Sequence, residues 1–262
     1  MKIYISADIE GISGVSNWED TSRSSIESIK QMTREVSAAC SGANSAGVDE
    51  ILVKDAHGSG RNINPLGLPQ NVKLHRDWSM GPLRMMEALD SSFDAVVFVG
   101  YHAGAMMPGN PLAHTFSNGK FQNIKINGNL VSEFDINSYI AHYFNVPVIM
   151  ISGDQGICSH AKEKYDHIET VAVMESIGDS NVSVHPDMAV KAIEEGIKVA
   201  MTKDLKALPI DLPDSFDCLI EFKEAKYAYR ASFYPEVTRI DEKRIQYKTQ
   251  DYMSFLRMFL FI

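Results

Sequence analysis

The sequence predicts an α/β protein: a mostly parallel sheet sandwiched between helices, with a smaller α+β region at the C-terminal end. Two observations carry this. Short β-rich runs alternate with longer stretches of helical period, as when parallel strands are joined by crossover helices. Several of those runs are apolar almost throughout, which suits strands covered on both faces. With 262 residues, 45% hydrophobic and 23% charged, the chain can bury a large core and has the composition of an ordinary globular protein.

The first strand spans residues 2–7. Residues 22–44 place Ile26, Ile29, Met32, Val36, Ala39 and Ala43 at three- or four-residue steps, one stripe of a helix that Gly47 ends. Further strands follow at 50–54, 72–75, 95–100 and 147–152. Residues 121–126 lead into Asn127-Gly128, a pair that tolerates positive φ and so predicts a small hairpin, with Val131 resuming the extended pairing. Ser132 has the chemistry of an N-cap, which puts Glu133 in the first turn of a helix reaching Asn145.

The last third changes character. After a strand at 168–173, Pro186 and Asp187 open a helix to about Thr202, and the prolines of 205–213 mark a loop. Residues 218–222 and 244–247 read as strands and 251–262 as a terminal helix. A boundary near 180 separates an α/β metal-binding catalytic domain, 1–180, from an α+β region, 181–262, suited to oligomerisation. The ending from Phe255 to Ile262 is too apolar for a free tail, so it is either buried internally or pressed against another subunit, with a subunit contact favoured.

Several partners are excluded. A net charge of -9, from 34 acids against 25 bases, repels a nucleic-acid backbone. The N-terminal run meets Asp8 before any long apolar stretch, and no run reaches membrane-spanning length, so neither a signal peptide nor a membrane partner is expected. Cys40, Cys158 and Cys218 are widely spaced and lack a CxxC pattern, which points to a reducing cytoplasm.

The informative feature is a set of acids and histidines just beyond the carboxyl ends of the predicted strands, the edge where open α/β sheets bind ligands. Asp8 and Glu10 follow the first strand two residues apart, so an extended backbone sends both carboxylates to one side. His57 and His102 follow the second and fourth strands in similar positions, and Glu133 is a fifth candidate if its helical turn faces the same crevice. Each alone has a plainer reading, a loop acid, a helix cap or a backbone-bonded imidazole; their coincidence favours a metal centre. Three carboxylates and two neutral imidazoles around two divalent cations leave a single positive charge, enough to hold one hydroxide, which is a hydrolytic arrangement. Asp8, leaving its strand end on a short side chain, is the expected bridge. Mixed oxygen and nitrogen donors suit zinc, with manganese or cobalt as alternatives and calcium disfavoured. His114 lies in a loop broken by Gly104, Pro108, Gly109 and Pro111 and is either a proton donor, a nucleophile or a loop histidine without a role. His142, His160, His167 and His185 read as packing or surface residues, and His75 is left unassigned.

Together, Ser6-Ala7-Asp8-Ile9-Glu10-Gly11-Ile12-Ser13-Gly14, Asp55-Ala56-His57, Gly100-Tyr101-His102-Ala103, Ala113-His114-Thr115 and Ile126-Asn127-Gly128 through Glu133 resemble the bacterial D-aminopeptidases of the M55 metallopeptidase type, over about the first 155 residues. The resemblance implies a binuclear zinc aminopeptidase that releases N-terminal D-amino acids such as D-alanine from short peptides. It also implies that Asp8, Glu10, His57, His102 and Glu133 are metal ligands, that His114 is catalytic, and that the chain is a homo-oligomer, a decamer of two stacked five-membered rings. Residues 58–70 and the last hundred residues carry little of the family pattern. Two rivals remain from the residues themselves. A binuclear phosphoesterase usually opens on Asp-x-His where this chain has Asp8-x-Glu10. A non-catalytic peptide-binding module would keep the scaffold without the chemistry. Gly11-Ile12-Ser13-Gly14 lacks the spacing of a phosphate-binding loop.

Overall fold

The computed structural model describes residues 1–262. Its strands are β1 (Lys2–Ala7), β2 (Glu50–Asp55), β3 (Val72–His75), β4 (Ala95–Tyr101), β5 (Phe121–Ile126), β6 (Asn129–Leu130), β7 (Val148–Asp154), β8 (Glu169–Ile177), β9 (Ser180–Ser183), β10 (Phe216–Phe222), β11 (Thr238–Arg239) and β12 (Arg244–Thr249). Its helices are α1 (Ile26–Ser45), α2 (Glu133–Tyr143), α3 (Gln155–Lys164), α4 (Pro186–Ala200), α5 (Ala225–Ala231) and α6 (Tyr252–Phe261). Seven strands form one sheet in the order β3-β2-β1-β4-β7-β8-β9, parallel except for the β8–β9 hairpin. The other five form an antiparallel sheet, β11-β12-β10-β5-β6.

Each strand of the large sheet sends alternate side chains to opposite faces, and β4 shows the consequence. Ala95, Val97 and Val99 enter an apolar cluster with α1 and α4, whereas Val96, Phe98 and Tyr101 enter another with α2, α3, α6 and the second sheet. Full burial of β4 and β7 explains why they read as continuous apolar runs.

The structure divides by layer more than by chain position. Residue 180 falls at the start of β9, which pairs with β8, and α4 packs against α1 on the large sheet. The antiparallel sheet in turn takes β5 and β6 from the first half of the chain and pairs β5 directly with β10. The apolar ending is mainly internal: Tyr252, Phe255, Leu256, Met258 and Phe259 are buried in α6, while Phe261 remains exposed. Val131 lies outside β6. The helix α3, absent from the sequence reading, starts where Asp154 caps Ile157 N, and it buries only Ile157, Cys158 and Ala161. No helix is long and apolar enough to cross a membrane.

Candidate metal centre

Strand order and register assemble the site. The main sheet reverses its winding between β1 and β4, the position that opens a crevice beyond the strand ends. Ala7 pairs with Asp55 of β2 on one side and Val99 of β4 on the other, so the three strands finish together. Asp8 follows β1 in the middle, His57 follows β2 to one side and His102 follows β4 to the other. Two glycines let the chains pass at this edge. A Cβ on Gly11 would lie 1.9 Å from the carbonyl oxygen of Tyr101, and Gly100, at φ +71°, lies against the Asp8 carbonyl. Glu133 arrives on α2, directly after the β5–β6 hairpin. The Asn127-Gly128 turn has φ of 51° and 84°, and Ser132 then caps α2 through a reciprocal box with Asp135, setting Glu133 at the first helical position.

All five predicted ligands converge, and His114 joins them. Their donor atoms form three overlapping groups in which all atoms lie within 4.8 Å of one another: Asp8, Glu10 and His57; Asp8, His102 and Glu133; Glu10, His102 and His114. Asp8 belongs to the first two because its strand lies between the strands that deliver the two histidines. His57 Nδ1 is 3.1 Å from both Asp8 Oδ1 and Glu10 Oε2. His102 Nε2 lies 3.6 Å from Asp8 Oδ2 and 3.7 Å from Glu133 Oε2.

The backbone fixes the protonation pattern of the imidazoles. A carbonyl only accepts hydrogen bonds, so each ring nitrogen facing one must carry the hydrogen. His57 Nε2 donates to the Thr21 carbonyl, His102 Nδ1 to that of Ala103 and His114 Nδ1 to that of Leu112. In every case the other nitrogen faces the carboxylates, as in metal-ligating histidines oriented through their second ring nitrogen.

Charge supplies the test of fit. Asp8, Glu10 and Glu133 are each 2–3% exposed, and their only ion-pair partners are histidines. Three buried carboxylates without lysine or arginine call for cations. The histidines answer partly by holding protons. Burial acts to lower the His57 pKa, but Glu10 and Asp8 outweigh it and push it up to about 11. His102 is likewise raised well above the imidazole range, burial being overcome by Glu133 and Asp8. Asp8 is held well below the usual carboxylate range, because His102 and His57 overcome the opposing effect of its burial. Even so, Glu10 Oε2 and His102 Nε2 have no hydrogen-bond partner. Orphaned buried donor atoms facing one another fit divalent metal ions, and the oxygen and imidazole set suits zinc.

A surrounding shell of bonds holds the ligands. Asp55 accepts from the backbone of Asn62 and Ile63, and Asn62 Nδ2 donates to the His57 carbonyl, tying down the loop after β2. Asp154 accepts from Ala103 N and Asn110 Nδ2, and Asn110 also donates to the Glu10 carbonyl. Phe116 N donates to Glu133 Oε1 at 2.6 Å. Of the other histidines, His142 bonds the Asp211 carbonyl, His160 pairs with Asp135, His75 faces the Glu87 carbonyl and His185 caps α4, all away from the centre.

The centre opens into a cavity of about 640 Å³. Its walls include Trp18, Trp78, Arg84, Phe116 and Lys120, none of which the sequence reading singled out. No spacing marks them, because they come from loops brought together only by the fold.

The comparisons agree with this geometry. The family model for peptidase M55, D-aminopeptidase, matches residues 1–261. A D-aminopeptidase of Bacillus subtilis (strain 168) is 30% identical over 259 residues, covering 97% of this chain and 93% of the relative. A solved structure, the zinc-dependent D-aminopeptidase DppA from Bacillus subtilis, described as a self-compartmentalizing protease, superposes with a TM-score of 0.92 at 28% identity, covering 99% of this chain and 96% of its own. The similarity thus extends through the last hundred residues, where short motifs alone were silent. The chain belongs to the M55 peptidase family of D-aminopeptidases.

Proposed function

We propose that the protein is a zinc-dependent aminopeptidase that releases N-terminal D-amino acids, such as D-alanine, from short peptides. The observation that carries this is the pair of donor groups sharing Asp8. Asp8, Glu10 and His57 would hold one ion and Asp8, His102 and Glu133 the other. Zinc bound there supplies a nucleophilic water at neutral pH and polarises the scissile carbonyl. The chain's own residues do the rest. The three buried acids at the cavity floor hold the metal, and the aromatic walls shield the reacting bond from water. His114 faces the same centre with Nε2 3.6 Å from Glu133 Oε1, while its other nitrogen is anchored. It is placed to hand a proton to the leaving amine.

Membership in a family with a self-compartmentalizing relative supports a homo-oligomer, and the resemblance noted above suggests a decamer. Exposed Phe261, Phe233 and Tyr229 of the 181–262 region are the surface we assign to subunit contact. The three cysteines are buried and unpaired, which suits a cytoplasmic setting. The test is turnover of matched D- and L-alanyl peptides by zinc-loaded protein. Cleavage of the D-series supports the reading, and equal or exclusive cleavage of the L-series overturns it.

A further inference from the structure

One wall of the cavity has a charge that the metal chemistry leaves unused. Arg84 and Lys120 both line it, around a cluster in which Phe116 and Phe121 each pack against Phe259 at centroid distances of 5.1 and 5.2 Å. The Arg84 guanidinium lies 4.7 Å from the Phe259 ring centroid and 5.6 Å from that of Phe116. It forms no ion pair with any acid. Its Nη2 donates to the Phe259 carbonyl, and its buried Nε donates to nothing. Lys120 Nζ donates to the backbone oxygen of Ile262 and pairs with no Asp or Glu side chain. Burial lowers the pKa of both, with no acid offsetting it for either.

A half-buried cation such as Arg84, without a counter-ion, is costly to maintain for stability alone. Backbone strain falls in the same place: Met80, Arg84 and Phe116, all lining residues, hold φ of 62°, 51° and 62°. Left-handed conformations in such residues cluster where the surrounding structure is shaped for a ligand. The only Asp and Glu side chains on the cavity wall are the three at the metal centre. With zinc bound the three acids are offset by the metal, so the charge left on the cavity wall is the positive charge of Arg84 and Lys120 on its aromatic side, apart from the centre.

We propose that Arg84, with Lys120 beside it, receives the free α-carboxylate of a short peptide whose amino end lies at the metal centre. The enzyme would then select short peptides with a free C-terminal acid. This rests on the aminopeptidase reading above. Guanidinium is the group best matched to a carboxylate, and Arg84 lines the cavity with no acid of its own. A cavity of about 640 Å³ suits a small ligand and would not hold a long chain.

The test uses the zinc-loaded full chain. Hydrolysis of a D-alanyl dipeptide is compared with that of its C-terminal amide. Binding of the two corresponding reduced-amide analogues, which cannot be cleaved, is measured by calorimetry. Wild type should favour the acid by about ten- to a hundredfold in kcat/KM, mostly through KM, and bind the acid analogue more tightly by a similar factor. Arg84→Gln should bring both ratios close to unity, and Arg84→Lys should restore part of them. Equal handling of acid and amide by wild type, or an unchanged ratio in Arg84→Gln, overturns the proposal. If neither peptide is cleaved but the analogues still show an acid preference that Arg84→Gln abolishes, the carboxylate receptor stands and the aminopeptidase reading falls. Should Arg84→Gln fail to fold, the wild-type ratio and its reduction in Lys120→Gln decide the matter.

Discussion

His102 and His114 stack face to face, their ring centroids 4.5 Å apart and their planes 7° from parallel. One comes from the end of β4 and the other from the loop over the centre. Each is anchored by a backbone carbonyl, and the rings of Trp18 and His114 meet in a T-shaped pair with centroids 5.3 Å apart. The stack holds His114 at the centre while the two groups sharing Asp8 are complete without it. His114→Ala should therefore keep wild-type zinc content and lose about 10²- to 10⁴-fold in kcat. Metal analysis beside steady-state kinetics checks this; loss of zinc in the variant would make His114 a ligand instead.

Metal binding should release protons. Without metal, His57 titrates near 11 and His102 well above the imidazole range, so both are protonated at pH 7 and must give up those protons to ligate. Zinc affinity should therefore rise with pH, and calorimetry in buffers of different ionisation enthalpy should detect the release. The stability of metal-stripped protein should follow the opposite course. A histidine raised in the folded state contributes fully below its ordinary value near 6.5 and loses that contribution as pH climbs towards about 11. Melting of stripped protein across that span tests the sign, and rising stability would contradict it.

Gly11→Ala should be strongly destabilising, because its Cβ would lie 1.9 Å from the Tyr101 carbonyl oxygen at the base of the site. A loss of more than about 2 kcal/mol in denaturant unfolding is expected, with reduced zinc content. Wild-type stability would show that the two loops can separate without cost.

Asp135 is buried and pairs with Lys164 at 2.7 Å and His160 at 2.9 Å while closing the capping box at the start of α2. Asp135→Ala leaves Lys164 largely buried without its partner and should cost about 3 kcal/mol. Burial opposes the charged form of Asp135, but Lys164 and His160 prevail and hold it well below the carboxylate range. Its contribution is thus present above about 3.8 and fades as pH falls below that. Urea midpoints of wild type and variant at neutral and acid pH should converge on acidification.

The parallel sheet and the five converging side chains were legible because both follow from local rules. Buried strands such as β4 write themselves as apolar runs, and side chains just past parallel strand ends share an edge whatever the intervening sequence. The antiparallel sheet was not legible as a unit, since pairing β5 with β10 joins residues far apart in the chain, such as Cys218 with Ile126 and Phe222 with Phe121, and leaves no periodic mark. The helix α3 was missed because it buries only three side chains, although Asp154 followed by Ile157, Cys158 and Ala161 was a usable signal. Arg84 and Lys120 carried none: their meaning depends on the absence of acids around them, which only the folded chain displays.

The most direct measurement is a crystal structure of zinc-loaded protein with anomalous diffraction at the zinc edge. The account predicts two peaks about 3.5–4 Å apart, with Asp8 touching both, His57 and Glu10 on one, and His102 and Glu133 on the other. A single peak, or metal bound away from these side chains, would contradict it.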